Sequence, residues 1–335
     1  MISFRLGLIG FVLLSSAANS FAESKVGVIA GLSGDNAAYG RAYQDAIAMA
    51  QKDLPESRVK FIYEDDQFLP RLSVQAARKL ISIDKVDVLI VGDTTTARAV
   101  SQSVPDTIPI YVWASEHPDF IKSNIIRSWP REAKELELME KEVLKEGLAN
   151  IAMLASSHDY TLTWSRGMRE RLKERVVYYE EFTSDLDSFR SLLPKLKNLG
   201  AQSISLCLNN PKNGQLAREA ADLRLDFKLF GCNFLQAGAD HQAARGALKG
   251  AWYMDTPVTG TFKASYLKLT GSIDYLNAAA VMYDIAQVIL LAAQKNLKTS
   301  ELPKLSPVAG ANGEFHIRDD AGFYFDYGFE RVDIK

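Results

Sequence analysis

The stretch VWASEHPD, Val112 to Asp119, sets Glu116 and His117 side by side after the apolar run IPIYV and just before a proline. An acid beside an imidazole at a strand end suits four roles: an acid–base pair, half of a metal site, a clamp on a ligand, or a solvated turn. The first two need partners. The four histidines, His117, His158, His241 and His316, are scattered singly, and each reads as a solvated or structural side chain. Glu64-Asp65-Asp66 and Asp319-Asp320 read as turn and cap acids, because a hard-cation site draws more oxygens from one closely wound loop than either run offers. The chain has no GxSxG nucleophile elbow, no GxxxxGK[ST] phosphate loop, no GxGxxG after a strand and no HExxH. Neither an enzyme nor a metal or cofactor site is expected.

The elements that must position any site alternate in type. KVGVIAG, VKFIYED, VDVLIVG and IPIYV are short apolar runs, separated by helical spacing over about 39–52, 72–83 and 97–103. Such strands, each followed by a helix, indicate an α/β fold with a parallel sheet buried on both faces. The pattern then restarts. A charged helix, REAKELELMEKEVLKEG, leads into NIAMLASS, VVYYEEF, SISLCLNN, FKLFG and AWYMDT with helices between them. Two doubly wound lobes of similar size facing across a cleft are expected. A long apolar helix, YLNAAAVMYDIAQVILLAAQ, and an alternating segment read as a β-hairpin, NGEFHIRDDAGFYFDYGFERVDI, close the chain.

The bulk properties bound the class. The start, MISFRLGLIGFVLLSSAANSFA, has one basic residue, a short apolar run and small residues before Ala22, the order of a secretory signal. Cleavage after Ala22 would leave 335 − 22 = 313 residues, enough for two domains. No later segment is read as a membrane span, which needs roughly 20 apolar residues. The net charge of −2 falls to 38 − 41 = −3 once Arg5 leaves, so nucleic acid is not expected as a partner. Cys207 and Cys232 end two strand-like runs, and the choice between a disulfide and two buried thiols stays open.

In an open α/β sheet, ligands bind beyond the carboxyl ends of the strands, where helix N-termini expose backbone N–H groups. Those ends carry Ser33 to Tyr39, Asp93 to Thr96, Ser115-Glu116, Ser156 to Tyr160, Asn209-Asn210 and Asn233. Hydroxyls, amides, tyrosines and a few acids make a set that binds a small polar molecule and lacks an activated nucleophile. The glycines of GLSGDNAAYG, Gly31 to Gly40, read as a tight turn that lets a ligand approach a helix head.

The pattern resembles the type I periplasmic binding proteins, in the leucine/isoleucine/valine-binding branch that serves ABC importers. The resemblance is carried by KVGVIAGLSGDNAAYGRAYQDAIAMA, FIYEDDQFLPRLSVQAARKLI, DVLIVGDTTTARAV, IPIYVWASEHPDF, IIRSWP, IAMLASSHDYTLTWSRGMRERLK, AAAVMYDIAQVILLAA and GEFHIRDDAGF, through most of the chain after the signal. It implies two lobes joined by three crossings, 23–127 plus 257–307 and 128–256 plus 308–335, with hinge closure over the ligand. It also implies a periplasmic monomer that hands a small polar ligand to an ABC permease in the inner membrane; the alternative is a sensor for a membrane receptor or kinase. By position, the carboxylate-gripping residues correspond to Thr96 and Thr95, then Ala114, Ser115 and Glu116. The opening-loop tyrosine corresponds to Tyr39, the second-lobe tyrosine to Tyr160, the next contact to Asn209 or Asn210, and the acid that pairs the ligand ammonium to Asn233. Glu116 stands where the branch has threonine and Asn233 where it has the acid. From this departure Glu116 is expected to take the ammonium itself or to select an amide or amine; the alternative is that it points away from the cleft and Ser115 makes the contact. Arg127 and Trp129 are expected at the hinge or in packing.

Overall fold

The computed structural model describes residues 24–34, 37–183 and 186–335; the expected export segment, 1–22, lies outside them. In chain order the first part runs β1 (Ser24–Ala30), α1 (Ala37–Asp53), β2 (Val59–Asp65), α2 (Pro70–Lys79), β3 (Val88–Val91), α3 (Thr94–Ser103), β4 (Ile110–Val112) and β5 (Ile125–Arg127). The second part runs α4 (Glu132–Lys145), β6 (Ile151–Ser156), α5 (Asp159–Leu172), β7 (Val176–Phe182), α6 (Leu192–Asn198), β8 (Ser203–Cys207), α7 (Lys212–Asp222), β9 (Lys228–Gly231), α8 (Gly238–Ala244) and β10 (Trp252–Asp255). The chain ends with α9 (Gly260–Thr270), α10 (Leu276–Gln294), β11 (Val308–Gly310), β12 (Gly313–Arg318), β13 (Phe323–Asp326) and β14 (Glu330–Asp333).

These strands form two sheets, an eight-stranded one ordered β11-β12-β13-β5-β4-β3-β1-β2 and a six-stranded one ordered β14-β10-β9-β8-β6-β7. The central strands β4, β5, β6 and β8 are buried along their whole length, as mostly apolar strands under helices on both faces require. In the first lobe, α1 lays Ala42, Ala46 and Ala50 against α10, a spacing of four that keeps the small residues on one helix face. By length and composition α10 could cross a membrane, unlike the expectation for the mature chain, but residues such as Val281, Ile285 and Leu290 are buried in the first-lobe core.

One lobe boundary differs from the sequence reading. The segment 308–335 does not belong wholly to the second lobe: β13 pairs in parallel with β5, and β12 pairs antiparallel with β13, so both extend the first sheet. The cause is the alternation along β12, which turns Phe315 and Ile317 into the first-lobe core beside Phe325 and Tyr327. Only β14 reaches the second sheet, antiparallel to β10. The chain therefore crosses between sheets three times, after β5, after β10 and after β13. Cys207 and Cys232 are bonded, with 5.3 Å between their Cα atoms, pinning the ends of β8 and β9.

Candidate functional site

Each wall of the cleft is built where a buried strand gives way to a helix. After β3, Asp93 caps α3 by accepting from Thr96 N at 2.9 Å. Ser115 N, beyond β4, donates to Thr94 Oγ1 at 3.2 Å and joins the two strand ends. The second lobe has a matching tie, with Asn209 N donating to Ser156 Oγ at 2.8 Å between the ends of β6 and β8. Gly92 is required between β3 and Asp93, because a Cβ there would lie 2.2 Å from the ring of Tyr43, whose hydroxyl donates to Gly92 O at 2.8 Å.

The walls enclose a cavity of about 410 Å³, the size of a small-molecule site. Tyr39, Thr95, Ala114, Ser115, Tyr160, Asn209, Asn210 and Asn233, all singled out in the sequence, line it together. Thr95 Oγ1, Ser115 Oγ and Asn210 Oδ1 are buried and have no protein partner.

Two candidates lie elsewhere. Thr96 is fully buried in the first turn of α3, its hydroxyl donating back to Asp93 O at 3.2 Å. One helical residue turns the side chain by about 100°, so Thr95 faces the cavity and Thr96 does not. Glu116 also points away. Its Oε2 accepts from Glu132 N, the first residue of α4, at 3.3 Å, and its Oε1 pairs with Arg131 at 3.7 Å. A helix head offers unpaired N–H groups and a favourable dipole, whereas an aromatic cavity would strip water from the carboxylate without recompense. The expectation that Glu116 selects the ligand is thereby corrected. His117 and Pro118 begin a short 3₁₀ turn, with Asp119 N donating to His117 Nδ1 at 3.1 Å.

The sequence reading missed most of the aromatic lining. Tyr43, Phe68, Trp113, Trp129 and Phe234 join Tyr39 and Tyr160 around the cavity, giving seven rings in all. Trp113 directly follows β4 and Trp129 lies two residues beyond β5, the positions at which the polar residues were singled out, but rings at such places read as packing. Trp129 is held from behind: its Nε1 donates to Glu135 at 3.2 Å, and Trp164 Nε1 donates to the same carboxylate at 2.9 Å. Tyr160 reaches Glu135 at 3.5 Å and accepts from Asn233 N at 3.3 Å. Burial pushes Glu135 up to about 7 despite these donors.

His158, read from the sequence as structural, caps the cleft. Its Nε2 lies 2.9 Å from Asp93 Oδ1 on the opposite lobe, and Arg98 of α3 pairs with Asp159 of α5 at 3.2 Å beside it. Burial raises Asp93, but the His158 charge and the hydrogen bonds prevail and hold it below the usual carboxylate range. Burial likewise lowers His158, and the Asp93 charge more than offsets it, leaving the imidazole raised. The other acids near the cavity are engaged: Asp255 accepts from Thr256 N at 2.9 Å and from Asn233, and Asp240 accepts from Gly214 N at 2.7 Å. Among the described residues no group of three or more His, Cys, Asp and Glu is placed to hold a metal.

A two-lobed molecule with a lined cavity at its strand ends can be set beside known proteins. The family model described as "Periplasmic binding protein" matches residues 23–309. The chain belongs to the periplasmic binding protein family. Within it, the chain is similar to the Leu/Ile/Val-binding protein homolog 3 of Brucella melitensis, at 25% identity over 234 residues, 64% of this chain and 62% of that protein. The match thus spans less than two thirds of that relative's length. Two solved structures share the fold. The branched-chain amino acid transporter substrate binding protein LivJ from Streptococcus pneumoniae, in complex with isoleucine, superposes with a TM-score of 0.82 at 17% identity, covering 94% of this chain and 97% of that one. A solute binding protein of an ABC transporter from Rhodopseudomonas palustris HaA2, in complex with p-hydroxybenzoic acid, gives 0.82 at 19% identity, covering 93% of each chain. These periplasmic binding protein relatives are binding proteins rather than enzymes, and their two-lobed α/β architecture is that of this chain.

Proposed function

We propose that this periplasmic binding protein captures a small aromatic carboxylate between its lobes and delivers it to an ABC permease. The observation that carries the reading is the lining: unpartnered hydroxyls of Thr95 and Ser115 at the head of α3, seven rings, and no carboxylate left over for an ammonium. An α-amino acid would bury its ammonium against Asn233, which cannot neutralise it, at the cost that attends an unpaired buried charge. An amine ligand lacks a partner for the same reason, since Glu116 faces α4. A carboxylate finds hydroxyl donors and the positive end of a helix, and a planar body finds ring faces. The relative that binds p-hydroxybenzoic acid in the same fold supports this choice.

The test is calorimetry on protein unfolded and refolded to strip carried ligand, against 4-hydroxybenzoate, benzoate, isoleucine and leucinamide. Micromolar binding of the aromatic acids with weak or absent isoleucine binding is expected. Tight isoleucine binding overturns the reading. A thermal scan gives a second measure, since ligand at a hundred times its Kd stabilises by about 2.7 kcal/mol.

A further inference from the structure

We propose that His158 is the charged group that selects a carboxylate in this cleft, and that Asp93 of the opposite lobe completes it only when the lobes close. The proposal rests on the reading of the cavity as an acid site and adds which residue reads the charge. Its geometry is specific. The Nε2 of His158 is taken by Asp93 at 2.9 Å, while Nδ1 is buried, unpartnered and part of a side chain that lines the cavity. A protonated imidazole donates from both nitrogens, so one can hold Asp93 while the other meets an anion. A neutral imidazole held to Asp93 through Nε2–H leaves Nδ1 as an acceptor, which repels a carboxylate. The ring is steadied by Phe234, 5.6 Å away between centroids.

His158 precedes α5 in the second lobe and Asp93 precedes α3 in the first, so opening the cleft separates them. The other charged or titratable groups about the pair are accounted for. Arg98 of α3 is divided between Asp119 and Asp159, Asp66 holds Ser73 and Phe68 N, and Tyr43 of α1 donates to Gly92 O. This leaves the ligand's charge facing His158 rather than a free arginine. Because the imidazole is raised in the closed form, closure is favoured below the open-state value and the advantage is lost as pH rises through the closed-state value. An acid binding to protein with neutral His158 draws one proton from solvent.

The experiment titrates 4-hydroxybenzoate and its neutral isostere 4-hydroxybenzamide into the full mature protein from pH 5.5 to 8.5, in buffers of different ionisation enthalpy. Between the open-state value and the higher value of the liganded closed form the acid's Kd is expected to weaken by up to tenfold per pH unit with uptake of up to one proton, while the amide's, which senses the pair only through closure, changes less. His158→Gln should weaken acid binding at low pH by tenfold or more and abolish its pH dependence, while the amide loses only the smaller contribution of the closing contact. Asp93→Asn keeps a good helix cap and should shift the acid profile to lower pH. Acid and amide binding equally at all pH, or acid binding unchanged in His158→Gln, overturns the role of His158 while the aromatic pocket stands. If neither probe binds, the acid-site reading falls and this proposal with it.

Discussion

Asp93 and Glu116 are both carboxylates just past first-sheet strands, and both reach the head of a second-lobe helix, Asp93 at α5 and Glu116 at α4. They differ in what lies between their partners. Glu116 and Glu132 lie only sixteen residues apart, on either side of the first crossing between the sheets. Asp93 and His158 lie 65 residues apart in sequence and meet only through the cleft. On the proposed closing of the lobes over a ligand, the same chemistry would be a hinge fitting in one place and a latch in the other, and exchange of ligand would act on the second alone.

The largest effect expected is on the hinge side and concerns pH. Burial, with neighbouring carboxylates, pushes Glu132 up to about 8, and burial pushes Glu135 up to about 7. A raised carboxylate stabilises the fold fully below its unfolded value near 4.5, and loses that contribution as pH rises through its folded value. Urea denaturation should show a loss of about 3 kcal/mol between pH 5 and 8 from Glu135 alone, and Glu135→Gln should flatten that slope. Next in size is the latch. Asp93→Ala should weaken 4-hydroxybenzoate binding by roughly 2 kcal/mol, measured by calorimetry at pH 6, because it leaves His158 buried without its partner. Glu116→Gln should leave that affinity within about twofold but lower stability by roughly 0.5–1 kcal/mol, through the weakened contact at the head of α4. A binding loss as large as that of Asp93→Ala would erase the distinction between the two carboxylates. The smallest effect belongs to Arg98→Ala, whose ion pairs are partly exposed; it should cost about 0.5 kcal/mol of closure at low salt and nothing measurable at 1 M.

The fold was legible because unbroken apolar strands leave few alternatives to a doubly wound sheet, and because strand ends announce a site by position. Thr95, Ser115 and Asn210, named both by that rule and by the resemblance, line the cavity. Glu116 obeyed the same rule and faced the other way, since the competing attraction, the head of α4, becomes its neighbour only through folding. Trp113, Trp129 and Phe234 were passed over because a ring in an apolar context carries no sign of whether it faces core or cavity. His158 was read as solvated or structural because the carboxylate it meets, Asp93, comes from the other lobe. The hairpin at 313–326 was legible as a hairpin, but alternation along a strand does not say which of two sheets it will join.

The third crossing has a practical consequence for cutting the protein apart. The first sheet needs strands from both ends of the chain, and the second sheet takes its edge strand from the last few residues. Neither lobe is therefore encoded by a continuous stretch of gene, and 128–255 expressed by itself would expose β10 along the edge that β14 covers. A protease nick in one crossing leaves two others intact. Isolating a lobe calls for circular permutation rather than truncation.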